Sequence, residues 1–145
     1  MAQKSYYFDS CIWLNIFKKE GDESKGKQYW KIAKELIEKI EALNDKLYVS
    51  TIVLKEISFK LEQDFEKTIK ILKKIECVSI IKTNNEDYEY ARSLEKKFEY
   101  KISFYDCLHI AICKRLNFIL ITRDAELINQ SKNIVETKKP EELIS

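Results

Sequence analysis

Four acidic side chains are placed in the sequence where they could act together on a phosphodiester bond. Asp9 directly follows the apolar run YYF, and Asp124 comes just after the apolar run FILIT. Glu56 and Asp106 lie early in segments with helical periodicity. Carboxylates packed together repel one another, and a bound divalent cation relieves that repulsion. Such a metal activates water and neutralises a phosphate, so hydrolysis then needs no side-chain nucleophile.

The residue types indicate magnesium or manganese rather than zinc. Mg²⁺ prefers oxygen ligands in octahedral geometry, which Asp and Glu supply. The four cysteines form no CxxC pair, and one histidine completes no tetrahedral zinc set. We expect these thiols to be buried and reduced: Cys11, Cys77, Cys107 and Cys113. With no apolar run long enough for a membrane span and no leader, the sequence predicts a cytoplasmic protein without membrane contact.

Each acid also has an ordinary structural explanation, which the residues alone leave open. Asp9 could cap the helix after it, and Ser103 with Asp106 has the S-x-x-D spacing of a capping box. Asp124 would complement the dipole of a following helix, and Glu56 could pair with a lysine one turn later. Convergence of the four in space is what distinguishes a site from four separate acids.

Short β-favouring runs alternate with helical segments along the whole chain. We predict strands at residues 4–8, 46–49, 77–81, 118–122 and near 133–135. We predict helices at residues 12–17, 29–43, 53–61 with Ser50 or Thr51 as cap, 64–74, 84–100, 103–116 and 124–129. Residues 18–28 hold both glycines and read as a mobile loop.

This alternation predicts one α/β domain over residues 1–145. Strands separated by helices of about ten residues or more imply parallel crossovers. The expected architecture is a three-layer α/β/α sandwich around a central, mainly parallel sheet of four to five strands. Binding sites in such folds lie beyond the carboxyl ends of the strands, so the four acids are expected to meet at that edge.

Net charge and glycine content indicate which kinds of ligand the chain could bind. Two glycines cannot build a phosphate-binding loop for nucleotides. A net charge of +2 does not by itself indicate a nucleic-acid binder, so any basic surface must be local. The candidate substrate-binding cations are Lys18, Lys19, Lys25, Lys27 and Arg123, with ordinary solvated side chains as the alternative.

The order of the motifs resembles the PIN domain family of ribonucleases. FDSCIWLNIF resembles the family's opening strand, Asp-Ser pair and apolar helix, and LKEI resembles its helical Glu. SFYDCLHIAICKRLNFILITRD resembles its most specific segment, and VETKKPEEL resembles its usual end. The resemblance spans essentially the whole chain.

The resemblance implies specific roles for these residues. The metal-binding and catalytic acids would be Asp9, Glu56, Asp106 and Asp124, with Glu126 as a frequent extra acid. Ser10 and Thr122 would orient the carboxylates, although helix capping also explains both. Arg123 would meet a substrate phosphate.

The resemblance also implies an endoribonuclease that uses Mg²⁺ or Mn²⁺. PIN domains act on RNA, often as VapC-type toxins that a small antitoxin neutralises, and often as homodimers. Single-stranded RNA is the favoured substrate, with structured RNA as the alternative. We assign Trp13 and Trp30 to packed faces rather than to base stacking.

Two other classes remain as alternatives. The lysine-rich segments would suit a catalytically silent module that binds RNA or a protein. A receiver-type phosphotransfer domain fits poorly, because Phe8-Asp9-Ser10 stands where an acidic pair is needed. The aspartate-phosphatase pattern also fails, because Cys11 stands where a second Asp belongs. His109 is interpreted as a structural residue rather than as a base or a metal ligand.

Overall fold

A five-stranded parallel sheet forms the centre of the fold in the computed structural model, which describes residues 2–21 and 28–144. Its order is β3-β2-β1-β4-β5. The strands are β1 (Ser5–Phe8), β2 (Lys46–Ser50), β3 (Val78–Ile81), β4 (Ile119–Ile121) and β5 (Thr137–Lys138). The first strand is central and pairs with β2 on one side and β4 on the other. All carboxyl ends of the strands therefore lie at the same edge.

Helices connect the strands and cover the sheet. They are α1 (Ser10–Lys18), α2 (Tyr29–Ala42), α3 (Thr51–Lys60), α4 (Phe65–Lys73), α5 (Asn85–Lys97), α6 (Phe104–Leu116), α7 (Ala125–Ser131) and α8 (Glu141–Ile144). The chain crosses the sheet in opposite directions before and after β3, so right-handed crossovers put α1–α4 and α5–α6 on opposite faces. The expected three-layer α/β/α sandwich with a parallel sheet is confirmed.

Side-chain caps fix the starts of several helices where the sequence predicts them. Ser50 Oγ accepts a hydrogen bond from the Val53 amide at 3.1 Å, and Ser103 Oγ accepts one from the Asp106 amide at 3.1 Å. Asn84 and Asp87 form a reciprocal capping box at the start of α5. Each cap satisfies an amide that has no partner inside its own helix.

The sixth helix contains the longest continuous run of buried residues among the described helices. Every residue from 107 to 113 is buried, as expected for a helix that is covered on more than one side by its neighbours. Near its C-terminus, Arg115 makes a bidentate pair with the buried Asp87 of α5, at 2.8 and 2.9 Å. This pair ties the C-terminal turn of α6 to the first turn of α5.

The final strand lies later than predicted. The sequence suggests a strand near residues 133–135, whereas β5 is formed by Thr137 and Lys138. Helix α7 extends to Ser131, and the amides of Ile134 and Val135 both bond back to the Ser131 carbonyl. Val135 is buried although it lies outside the sheet. A buried apolar side chain at this position explains why the local sequence pattern resembled that of a strand.

Two other expectations concern the loop and the cysteines. Of the predicted mobile loop, Lys18 ends α1 and Lys19 caps it in a left-handed conformation, while residues 22–27 lie outside the described residues. All four cysteines are free, and three of them are buried. Over residues 2–21 and 28–144, no helix is long and apolar enough to cross a membrane.

Candidate functional site

Asp9 is held rigidly at the carboxyl end of the central strand. Its amide bonds to the Ile121 carbonyl of β4 at 2.9 Å, and the residue is only 5% exposed. One carboxylate oxygen, Oδ1, accepts from the Ser10 amide at 2.7 Å. The other, Oδ2, accepts from the Thr122 hydroxyl at 2.9 Å. Both oxygens are thus oriented by neighbours before any ligand arrives.

Asp106 faces Asp9 from the first turn of α6. One ligand atom from each of Asp9, Asp106 and His109 lies within 4.8 Å of the other two, which is close enough for a shared cation. Burial raises the pKa of Asp106 to about 6, and the negative charge of Asp9 adds to that rise. A carboxylate with a raised pKa is one whose charge the surrounding protein does not fully compensate.

Glu56 of α3 joins this group through two hydrogen bonds. Its Oε1 lies 2.9 Å from His109 Nε2, and its Oε2 lies 3.4 Å from the Ser10 hydroxyl. Asp9, Glu56 and Asp106, here called the acidic cluster, therefore come from three elements that meet at one edge of the sheet. The separate structural explanations for these acids do not predict such a meeting.

His109 lies at the centre of the acidic cluster and is fully buried. Besides Glu56, its Nε2 is 3.7 Å from Asp9 Oδ1, and its Nδ1 is 2.7 Å from the Tyr7 hydroxyl. Burial lowers the pKa of His109, but the bond to Glu56 and the nearby carboxylate charges outweigh burial and raise it. The interpretation of His109 as structural missed this contact, although its spacing three residues after Asp106 puts both on one helix face.

Asp124 lies at the margin of the acidic cluster, and Glu126 is not part of the compact ligand set. Asp124 is exposed and caps α7 by accepting from the amides of Glu126 and Leu127. Its charge contributes to the raised pKa of Asp106, so it acts within electrostatic range. Glu126 is exposed, and its carboxylate accepts from Gln130 at 3.4 Å.

The two predicted supporting hydroxyls contact the acids directly. Thr122 Oγ1 donates to Asp9 and accepts from the Asp124 amide at 3.1 Å, which links the ends of β1 and β4. Ser10 Oγ lies 3.5 Å from Asp9 Oδ1 and 3.4 Å from Glu56 Oε2. Capping and orientation are therefore combined in the same residues.

The predicted substrate-binding cations differ in their exposure and in the side chains that they contact. Lys18 and Lys19 are exposed at the end of α1. The Arg123 side chain is only 13% exposed, and its guanidinium stacks on the Tyr29 ring at 3.8 Å, pairs with Glu141 and donates to Asn15 Oδ1 at 3.2 Å. A phosphate would compete with Glu141 for this guanidinium. Lys25 and Lys27 lie outside the described residues.

The donor set fits a hard divalent cation. Asp9 and Asp106 place carboxylate oxygens within 4.8 Å of each other. Burial and the charge of Asp9 oppose the ionisation of Asp106. Oxygen ligands of this kind suit Mg²⁺ and Mn²⁺, which retain bound waters. Asp106 and Glu56 are both partly exposed, so solvent can reach this side of the acidic cluster.

Comparison with protein families decides the classification. A model described as the PIN domain matches residues 6–133. The chain belongs to the PIN domain family. The match includes the four predicted metal-binding acids of this PIN domain, from Asp9 in β1–α1 to Asp124 at the start of α7. The sequence comparison with curated proteins found no match.

Solved structures share the same fold at low identity. VapBC-1 from nontypeable Haemophilus influenzae is 19% identical, with a TM-score of 0.67 over 94% of this PIN domain and 98% of that chain. A toxin-antitoxin complex from Klebsiella pneumoniae is 19% identical, with a TM-score of 0.64 over 93% and 97%. FitAcB from Neisseria gonorrhoeae is 16% identical, with a TM-score of 0.63 over 95% and 99%. These similarities extend over nearly the whole length of each chain.

Proposed function

We propose that this PIN domain is a metal-dependent endoribonuclease that hydrolyses phosphodiester bonds in RNA. The observation that carries the proposal is the meeting of Asp9, Glu56 and Asp106 at the carboxyl edge of the sheet. Acids that served only as caps or surface charges would have no reason to converge from β1, α3 and α6. The metal would be Mg²⁺ or Mn²⁺.

This proposal gives each residue of the site a specific role. Asp9 and Asp106 would hold the metal, with Glu56 and Asp124 binding it directly or through its waters. A bound Mg²⁺ or Mn²⁺ supplies an activated water and neutralises the attacked phosphate. Thr122 and the Ser10 amide keep the Asp9 carboxylate in one orientation, so little reorganisation accompanies binding. Glu126 remains a further candidate acid for an outer position.

Cleavage of a labelled RNA by the purified protein tests this proposal. We expect internal cuts when Mn²⁺ or Mg²⁺ is present and no cuts in excess chelator. Restoring activity by adding metal back distinguishes a removed metal from a damaged protein. Cleavage that continues unchanged in chelator, or no cleavage of any RNA with saturating metal, would argue against a metal-dependent ribonuclease.

We further propose that the protein is the toxin of a toxin-antitoxin pair and acts in the cytoplasm. The names of the similar structures describe VapBC and toxin-antitoxin complexes, which supports a small antitoxin partner. A homodimer is also part of this proposal. Induced expression should arrest growth, and co-expression of the protein encoded next to it should relieve the arrest. Relief by Asp9→Asn in the absence of that neighbour would tie the arrest to the site.

A basic aromatic patch beside the site supports RNA as the substrate. Trp30, which was expected on a packed face, is only half-buried, and the ammonium groups of Lys19, Lys31 and Lys34 lie 5.6, 5.3 and 5.8 Å from its ring centroid. Trp30 follows Tyr29, whose ring contacts Arg123 next to Thr122. Lysines interleaved with an aromatic ring suit a phosphate backbone, so this patch would act with Lys18 and Arg123.

Removing charges from this patch should weaken RNA binding without changing the chemistry. We expect the double variant Lys31→Gln/Lys34→Gln to raise KM and to reduce the salt slope of RNA binding by about 1 per lysine. Binding of RNA in Ca²⁺, measured at several salt concentrations, gives the slope. Lys96→Gln/Lys97→Gln at the end of α5 is the matched control. Equal slopes in both double variants would remove the patch from the proposal.

Metal binding should weaken as the pH falls through about 6, which is the value to which burial and Asp9 raise the pKa of Asp106. A proton and a cation compete for the same carboxylate, so the apparent affinity for Mn²⁺ should fall about tenfold per pH unit below that value. Calorimetric titrations across this range measure it. An affinity that stays constant from neutral pH to well below 6 would show that Asp106 is not a ligand.

A further inference from the structure

The protein has a single histidine, His109, and both of its ring nitrogens have partners in the core of the site. Nε2 lies 2.9 Å from Glu56 Oε1, and Nδ1 lies 2.7 Å from the Tyr7 hydroxyl. The Tyr7 hydroxyl is in turn 2.7 Å from Ser50 Oγ. A continuous chain of hydrogen bonds therefore runs from the end of β2 through the core to Glu56.

The partners determine which nitrogen carries a hydrogen. Carboxylate oxygens accept hydrogen bonds, and those of Glu56 and Asp9 both face Nε2, at 2.9 and 3.7 Å. Nε2 must therefore donate. Nδ1 faces a hydroxyl that can either donate or accept, so the chain closes in the neutral ring and in the imidazolium alike. The hydrogen on Nε2 is common to both states.

We propose that His109 is a positioning residue that holds Glu56 at the metal site by donating from Nε2, and that it is not itself a metal ligand. This inference rests on the proposed function, because it assigns Glu56 to the metal. The bond fixes one carboxylate oxygen of a side chain that is 20% exposed and whose only other hydrogen bond among the described residues is to the Ser10 hydroxyl, at 3.4 Å. Glu56 thus reaches the site in one orientation.

The alternative use of His109 is as a ligand, since its Nε2 belongs to the compact set with Asp9 and Asp106. A ligating nitrogen must offer a lone pair, which would move the hydrogen to Nδ1 and make the Tyr7 hydroxyl accept it. Glu56 Oε1 would then lose its donor. The hard cations that suit the acidic cluster also prefer oxygen to nitrogen, which favours the positioning role.

Nuclear magnetic resonance can identify the protonated nitrogen directly, because there is only one histidine to assign. Two-bond ¹H–¹⁵N correlation spectra of ¹⁵N-labelled protein should show Nε2 protonated, both without metal and with saturating Mg²⁺. Glu56→Gln should shift the Nε2 resonance more than the control Asp45→Asn does. A deprotonated Nε2 in saturating Mg²⁺ would overturn the inference. So would an Nε2 resonance that Glu56→Gln shifts no more than Asp45→Asn does.

Matched variants at position 109 test the consequence for the metal. We expect His109→Leu to weaken Mn²⁺ binding by about 10- to 100-fold, which is typical of lost support behind a ligand. His109→Gln, whose amide can donate from nearly the same place as Nε2, should recover most of that loss. Ile112→Val on the same helix should leave affinity unchanged, and melting curves confirm that each variant is folded.

The outcomes separate this inference from the proposed function. If His109→Leu and His109→Gln bind Mn²⁺ as tightly as the wild type, positioning by His109 is wrong while the metal site stands. If His109→Gln loses affinity as fully as His109→Leu, donation from Nε2 is not the property that matters. If the wild type binds neither Mn²⁺ nor Mg²⁺, the proposed function fails, and with it the assignment of Glu56 to a metal.

Discussion

Asp9→Asn is expected to lower metal-dependent RNA cleavage by at least about 1000-fold while leaving the fold intact. Electrostatic stabilisation by a bound metal contributes several kcal/mol to such reactions, and each 1.36 kcal/mol changes the rate about tenfold. Asparagine keeps an oxygen to accept from the Ser10 amide. Its amide group can donate to Thr122 Oγ1, which reverses the direction of that bond and leaves the Thr122 hydroxyl hydrogen to Cys11 Sγ, 3.6 Å away. The contacts of position 9 are therefore kept while the charge is lost.

Asp45→Asn is the matched control for this experiment. Asp45 is also buried, but it precedes β2 at the opposite edge of the sheet, where its carboxylate accepts from the Lys4 amide at 2.9 Å. Loss of a buried carboxylate charge as such would affect both variants, whereas loss of a metal ligand affects only Asp9→Asn. Single-turnover cleavage in Mn²⁺ makes the comparison. Activity of Asp9→Asn within about tenfold of the wild type would be too small a change for a lost ligand.

Local chemistry explains why most helix boundaries could be predicted from the sequence. Ser50, Asn84 and Ser103 each cap a helix through the amide three residues later, so the signal and the structure lie in the same short segment. The last strand has no such signal. Thr137 and Lys138 form β5 because they meet Leu120 and Ile121 of β4, which no local pattern encodes.

The site also combines features that the sequence predicts with features that depend on contacts between distant residues. The convergence of Asp9, Glu56 and Asp106 follows from a general rule about the carboxyl edge of parallel sheets, and the sequence was sufficient to apply it. The surroundings of Arg123 depend on tertiary contacts, because Tyr29 and Glu141 come from distant parts of the chain. The contact between His109 and Glu56 has no local sequence signal, because a lone histidine on an apolar helix most often packs in a core, and this one is buried there while also contacting Glu56.

Asp106→Asn is expected to make the metal-free protein more stable, although it removes a predicted ligand. Burial and the charge of Asp9 raise the pKa of Asp106 from 3.8 to about 6. At neutral pH, ionised Asp106 therefore costs more free energy in the folded protein than in the unfolded chain. That difference is worth at most about 3 kcal/mol, and solvent screening at this half-buried position reduces the expected gain to about 1–2 kcal/mol. Urea unfolding in chelator measures the gain.

The pH dependence of this gain has a definite sign. A raised pKa means that the folded protein binds the proton more tightly than the unfolded chain, so the wild type recovers stability as the pH falls through 6. The advantage of Asp106→Asn should therefore shrink below pH 6 and vanish below about 3.8. Asp64→Asn, which changes only an exposed cap of α4, is the control and should show no such trend.

Adding metal should reverse the order of stability. At a metal concentration of about 100 times Kd, binding stabilises the wild type by about 2.7 kcal/mol, and Asp106→Asn should gain far less because it has lost a ligand. An acid kept for structure alone would give the opposite result, with the substitution destabilising the protein and metal making no difference. A metal-free Asp106→Asn variant that is less stable than the wild type at neutral pH would contradict the repulsion on which the proposed metal site depends.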